Sequence, residues 1–368
     1  MTIYNSLLVY LRIFETAETI GFNVRRLFRL YHQRQNTLKK RLPKFLRCAG
    51  ITAIFFCISL IFSIPAESFG YKCSDEGTSV EFCKPEGKPY LTKEFTLRGA
   101  GILKAFTAAG NIEVKTIENS DRVKVELYLD RGYSFWSNSK NIDNYRITVI
   151  QRGNEIVSSV ERKNKETGFF SDQMRFSFKI YVPKSMSTEL KTSGGNVTVS
   201  GLDGNHVIKT SGGNIDLDGI TGKLTAYTAG GNININSSRG IIYGKTTGGN
   251  INVDQSQGEI RLLSEGGRIL AERISGTLLA RLGGGDIKAQ FLKVSEGISL
   301  DTGAGNIYLE IPEMDGFDLV LRGTEIILPA DLRIDGFKSR QKVEGTVDKG
   351  GAPINLSTNY GKIELKIK

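Results

Sequence analysis

The sequence predicts an all-β chain. Its larger part reads as a single-stranded β-solenoid, or β-helix, with about 18 residues per coil, preceded by a β-rich capping unit and one N-terminal transmembrane helix. Three observations predict this. The word Gly-Gly-Asn-Ile or Gly-Gly-Asn-Val stands at Gly194, Gly212, Gly230 and Gly248, 18 residues apart, with weaker spellings at Gly266 and Gly284 and a copy, Gly305-Asn306-Ile307, after a slip of two. Apolar residues recur two and four places after the second Gly of each word, from Val197 and Val199 to Ile307 and Leu309, with polar residues between. Between basic and acidic flanks, 19 residues from Cys48 to Ala66 carry no charge.

The solenoid follows from the first two. Alternation of period two marks a strand with one buried face, and β-branched residues fill it. A second Gly recurs at Gly204, Gly222, Gly240, Gly258 and Gly276, followed by another alternating run. Its inward columns read His206, Leu224, Ile242, Ile260, Leu278 and Ile208, Ala226, Gly244, Leu262, Ala280. A third column, Leu202, Ile220, Ser238, Ser256, Ile274, Leu292, lies on the link between the runs. Gly is expected to supply positive φ at the corners. One coil cannot bury its inward side chains alone, so coils stack. Seven coils at about 4.8 Å each give a rod about 35 Å long. The Asn column at Asn196, Asn214, Asn232 and Asn250 is expected to form a side-chain amide ladder.

Two other 18-residue coils are excluded. A calcium β-roll needs a regular carboxylate column, and here the position reads Thr198, Asp216, Asn234, Asn252, Leu270, Lys288. A hexapeptide left-handed helix needs an apolar column where Asp203, Thr221, Arg239, Gln257 and Ser275 stand.

The net charge of +10 is not a nucleic-acid signal. Residues 1–47 hold ten Lys/Arg against Glu15 and Glu18, which is +8, leaving +2 for the rest. This basic, partly helical segment is expected in the cytoplasm, with residues 48–66 as a transmembrane signal anchor and everything after outside. Nineteen helical residues span about 28 Å, close to a bilayer core. A non-cleaved anchor fits better than a cleaved signal peptide, since Ile64-Pro65-Ala66 is a poor cleavage site; cleavage would make the protein secreted. Residues 1–31 read equally as a membrane-surface helix or as an artefact of an upstream start. The linker at 67–91 holds Cys73 and Cys83, a candidate disulfide outside the cell.

Residues 92–186 alternate without the repeat word and read as a β-rich N-terminal cap with a first coil at Ala109-Gly110-Asn111-Ile112. Residues 187–329 are the repeats, and 330–368 the C-terminal coils and cap. Lys93-Glu94-Phe95, Ala109-Gly110-Asn111-Ile112, and Tyr181-Val182-Pro183 leading into Leu190-Lys191-Thr192-Ser193-Gly194-Gly195-Asn196 occur in an order that resembles the bacterial "putative adhesin" β-solenoid family of unknown function. The resemblance covers residues 92–368. It implies a cell-envelope or surface solenoid and transfers no catalytic residue.

No phosphate-loop, zinc or Ser-His-Asp spacing is present, so neither a cofactor nor a metal is expected. His32 falls in the cytoplasmic segment, and His206 in an inward column where it reads as structural. Outward Asp216, Asp218, Asp254 and Glu272 are the only grouping with an acid–base reading, of the kind a polysaccharide-active enzyme would use. The outward columns of the second run carry Lys209, Tyr227, Lys245 and Arg281, with Thr225, Tyr243 and Arg261 beside them. This basic, aromatic strip is the candidate polymer-binding face, suited to an anionic glycan or another envelope polymer; the alternative is a solvated face. Tyr133-Phe135-Trp136 and Phe169-Phe170 are further aromatic clusters, for packing or for a partner. The function expected is non-catalytic: a membrane-anchored, adhesin-like or scaffolding module binding an envelope polymer or protein. The alternatives are an envelope sensor signalling through the basic N-terminal segment and, last, the enzyme.

Overall fold

The computed structural model describes residues 87–130, 142–163 and 174–368. Among them no helix is long and apolar enough to cross a membrane. The 48–66 span, the 1–47 segment with His32, Cys73, Cys83 and both aromatic clusters lie outside the described residues.

Each repeat word opens a four-residue strand whose two apolar side chains are fully buried. These are β9 (Val197–Ser200), β11 (Ile215–Asp218), β13 (Ile233–Asn236) and β15 (Ile251–Asp254). They alternate along the chain with eight-residue strands β10 (Asp203–Thr210), β12 (Thr221–Thr228), β14 (Arg239–Thr246) and β16 (Gln257–Ser264). Every pairing between successive copies is parallel and in register at 18 residues, as Ile215↔Ile233 and Leu224↔Ile242 show. The short strands stack into one face and the long strands into a second, with one continuous apolar core between them. Further on, β17 (Ile269–Leu282) and β18 (Ile287–Ala304) each run through a corner and serve both faces, and β19 (Ile307–Ile311) continues the first.

The two ends depart from simple winding. Before β9, the chain forms β1 (Leu91–Thr96), β2 (Gly101–Thr107), β3 (Ile112–Ile117), β4 (Arg122–Asp130), β5 (Tyr145–Arg152), β6 (Glu155–Arg162), β7 (Arg175–Pro183) and β8 (Met186–Thr192). β2 and β3 form a coil that stacks under β8 and β9. β6 and β7 then pair parallel on the other side of β2 and β3, so the outermost coil is later in the chain than the one it covers. Antiparallel β4 and β1 extend the first face beyond β7, and β5 extends the second beyond β6.

The same inversion occurs at the other end. β20 (Gly316–Arg322) and β21 (Glu325–Ile327) form the outermost coil, followed by the antiparallel β22 (Asp335–Lys338) and β23 (Lys342–Asp348). β24 (Ala352–Tyr360) and β25 (Lys362–Ile367) then return and insert between that coil and β18–β19.

The first face is therefore β7, β3, β9, β11, β13, β15, β17, β18, β19, β25, β21, eleven parallel strands. Eleven rungs, ten spacings at about 4.8 Å, make a stack about 48 Å long, longer than the seven repeat words imply. The additional rungs come from cap segments that lack the full word.

Two sequence expectations about the repeat need correcting. The Asn column does not form an amide-to-amide ladder. Instead the Oδ1 of each Asn accepts the backbone N–H of the residue one rung on: Asn196 from Asn214, Asn214 from Asn232, Asn232 from Asn250 and Asn250 from Arg268, at 2.8–2.9 Å. Nor do Gly195, Gly213, Gly231 and Gly249 have positive φ. They are Gly because a Cβ there would sit 1.8–2.0 Å from the carbonyl oxygen of the Gly one rung below. Positive φ is found at Gly204, Gly222, Gly240, Gly258 and Gly276, and in a corner column that runs Gly201, Gly219, Ser237, Gln255, Arg273.

The third inward column holds from Leu202 to Ile274, but its last member is wrong. Phe291 pairs with Ile274 and is buried, whereas Leu292 is 61% exposed. The register of β18 slips by one residue against β17 at this corner and returns at Ser275↔Lys293; the two-residue slip of the repeat is absorbed further on, between Gly276↔Val294 and Leu278↔Ile298.

One polar column inside the core went unnoticed in the sequence. Thr192, Thr210, Thr228, Thr246 and Ser264 are all buried, three residues before the second Gly of their words, and Thr302 and Thr358 stand likewise three residues before Gly305 and Gly361. Each donates its hydroxyl to the carbonyl of the corresponding Gly one rung back, Thr210 to Gly195 and Thr228 to Gly213 at 2.8 Å. Each of Thr192, Thr210, Thr228 and Thr246 also accepts the N–H of the Gly of its own word. The column thus satisfies backbone groups at the corner where the ladder of strand hydrogen bonds is interrupted.

Candidate functional site

The long strands turn three outward columns to the second face, because alternate residues of a strand point the same way. One column runs Lys191, Lys209, Tyr227, Lys245, Leu263, Arg281, Asp301, each paired with the next. The next runs Glu189, Val207, Thr225, Tyr243, Arg261, Leu279. The third contributes Asn205, Lys223, Ile241, Glu259 and Thr277.

All six residues of the candidate polymer-binding face, Lys209, Tyr227, Tyr243, Lys245, Arg261 and Arg281, are on this one surface. They are not equivalent. Arg261 is held by Glu259, with Nε donating at 2.7 Å, so its charge is largely compensated. Lys209, Lys245 and Arg281 make no ion pair among the described residues, and neither do Lys191 and Lys223, which the sequence reading left out of the site. Tyr227 and Tyr243 are half-buried among them. Ile241, 48% exposed, stands next to Tyr243's strand neighbour Ile242 and adds apolar surface. Lys191 was legible as the residue one 18-residue period before Lys209, and Lys223 as the next lysine of the same outward set.

The first face differs in charge and in how it is used. Asp216 and Asp254 are two rungs apart, and Asp254 and Glu272 are register neighbours. Each is already engaged: Asp216 accepts from Asn234 Nδ2 at 2.7 Å, Asp254 is paired with Arg273, and Lys288 Nζ lies 2.8 Å from Glu272. Asn252 donates in turn to Asn234 at 2.8 Å, so a short side-chain ladder does exist, on this face rather than in the repeat word. Asp218, the fourth of the set, is exposed and two rungs from Asp254 in the same column, and Asp254 Oδ1 has no hydrogen-bond partner among the described residues. Towards β4, burial alone would raise the Glu126 carboxyl, but hydrogen bonds from Lys124 and Tyr128 outweigh it and hold the group below the ordinary carboxylate range.

His206 is 1% exposed, stacked between Thr188 and Leu224. Its Nδ1 lies 3.0 Å from Thr188 Oγ1, and its Nε2 has no partner. Burial pushes its pKa down from 6.5 to about 4, against a small opposing effect of Asp203. The Thr188 hydroxyl is its one hydrogen-bond partner among the described residues, and both side chains are closed off from solvent. Among the described residues no group of three His, Cys, Asp or Glu side chains is arranged to hold a metal ion.

Comparison with known proteins matches the sequence to a family. No curated protein matches the chain. Among solved structures, the chain is similar to a "putative adhesin" from Parabacteroides merdae ATCC 43184 (16% identical, TM-score 0.33, covering 61% of this chain and 97% of that one). It is also similar to a "putative adhesin" from Bacteroides fragilis NCTC 9343 (14%, TM-score 0.34, 60% and 96%). A third is a "putative lipid binding protein" from Parabacteroides distasonis ATCC 8503 (13%, TM-score 0.38, 75% and 97%). The family description Toastrack DUF4097 matches residues 109–366, from the first Gly-Asn-Ile word to the last strand, and the chain belongs to that family.

Proposed function

We propose that the protein is a non-catalytic binding module of the bacterial cell envelope, anchored through residues 48–66 with the solenoid outside the cytoplasm, and that its second face holds an anionic envelope polymer. The observation that carries this reading is the set of lysines without acidic partners around two stacked-column tyrosines. The three columns also carry Glu189, Glu259 and Asp301, but against six cations, of which Arg261 alone is ion-paired among the described residues, so the face keeps a net positive charge. Cations beside aromatic rings give an acidic glycan both charge and a platform for its sugar faces. The engaged state of Asp216, Asp254 and Glu272 supports a binding role over a hydrolytic one.

The test is binding of the full-length protein, in nanodiscs, to immobilised acidic glycans over a salt series. Replacing Lys191, Lys209, Lys223 and Lys245 together by Gln should abolish salt-sensitive binding. Binding that survives this change would overturn the reading.

A further inference from the structure

The main outward column of the second face alternates in kind as well as in charge. From β10 to β17 it reads Lys209, Tyr227, Lys245, Leu263, Arg281: cation, ring, cation, aliphatic, cation. Parallel register fixes each residue directly above the last, so the cations recur at every second rung, about 9.6 Å apart, with an apolar step between. Asp301 follows Arg281 and ends the run, and Lys191 precedes Lys209 without an apolar step, so the alternation belongs to these five rungs.

A charged surface that needed only to attract polyanions would gain from a cation on every rung. In this column apolar side chains stand where those cations would; the cations of the two intervening rungs, Lys223 and Arg261, lie in the neighbouring columns, and Arg261 is compensated by Glu259. A pyranose in an extended chain is comparable in length to one rung, so a disaccharide spans two. We infer that, if the second face binds a glycan as proposed above, its ligand is a linear acidic glycan with one anionic group per disaccharide, lying along the stack. Its anionic groups meet Lys209, Lys245 and Arg281, and the intervening sugars lie over Tyr227 and Leu263. Tyr243, two residues before Lys245 on the same strand, stands in the neighbouring column beside this track.

Two glycan probes separate this from simple charge attraction: a hyaluronan oligosaccharide, with one carboxylate per disaccharide, and an oligogalacturonate of equal sugar count, with one per sugar. The full-length protein should bind the hyaluronan chain more tightly, by about tenfold, although it carries half the charge. The double variant Tyr227→Lys/Leu263→Lys puts a cation on each of the five rungs and should reverse the order. Both substitutions point outward, and an unchanged circular dichroism spectrum and melting temperature would show that the stack is intact. If the native protein prefers the oligogalacturonate, or if the variant keeps the native order, the spacing inference falls while anionic-polymer binding stands. If neither probe binds at any salt concentration, both fall.

Discussion

The Thr228 hydroxyl donates to the carbonyl of Gly213, one rung back, at 2.8 Å, and accepts the N–H of Gly231 at 3.2 Å. One buried side chain thereby satisfies two main-chain groups at the corner. Thr228→Val keeps the shape and removes the oxygen, leaving both groups unsatisfied in the core. We expect a loss of about 1–3 kcal/mol in urea unfolding, with Thr228→Ser retaining most of the stability, as Ser264 occupies the same column naturally.

The two glycines of one repeat word should respond in opposite ways. A Cβ on Gly231 would lie 1.9 Å from the Gly213 carbonyl oxygen, whereas one on Gly230 meets nothing closer than 3.8 Å. Gly231→Ala is expected to cost more than about 3 kcal/mol, because the obstacle is backbone on a fixed neighbouring rung. Gly230→Ala should lie within about 0.5 kcal/mol of the native protein. Thermal melts of the pair test the distinction.

Left-handed corners occupied by other residues offer a gain. Ser237 and Gln255 have φ of 49° and 48° in the column where Gly201 and Gly219 stand. Relief of the Cβ clash, about 1–2 kcal/mol, outweighs the extra chain entropy of Gly, about 0.5–1 kcal/mol. Ser237→Gly and Gln255→Gly should each raise stability by up to about 1 kcal/mol. Arg273 is a poorer choice because it holds Asp254.

His206 makes stability depend on pH. Its native pKa is about 4 against 6.5 for the free group, so the unfolded chain binds the extra proton more readily. The native state is fully favoured above pH 6.5, loses stability as pH falls from 6.5 to about 4, and loses no more from this group below that. The loss amounts to at most about 3 kcal/mol. His206→Leu, which copies Leu224 in the same column, should flatten that segment of the stability curve relative to the native protein. Carboxylates that titrate in both proteins cancel in the comparison.

Most of the stack was legible because its rule is local and repeated. The apolar pairs Val197/Val199 to Ile307/Leu309 and the columns of Leu224 and Ala226 are all buried as the alternation required. Thr228 was missed because threonine is common in exposed strands, and only its fixed distance from the second Gly marks it as internal. Leu292 was misplaced because the pairing slips by one residue at that corner, Ile274 against Phe291, before the 18-residue register returns, and an extrapolated period cannot show a local bulge. The inverted order of β6–β7 and β24–β25 had no local sign at all; strand alternation gives no information about which neighbour a strand takes. The outward face was readable in position but not in state. That Arg261 is spent on Glu259, two residues away on one strand, depends on rotamers rather than on the repeat.

The returning pair β24–β25 changes how the stack responds to loss of chain. In an ordinary wound solenoid, removing the last residues peels off an end rung and leaves the others as they were. Here the deletion of residues 352–367 would open a gap between β18–β19 and β20–β21, so the outer coil would lose its only parallel support. The last strands act as a keystone: the end closes when they arrive, and unravelling from that end must begin by drawing them out from between two neighbours.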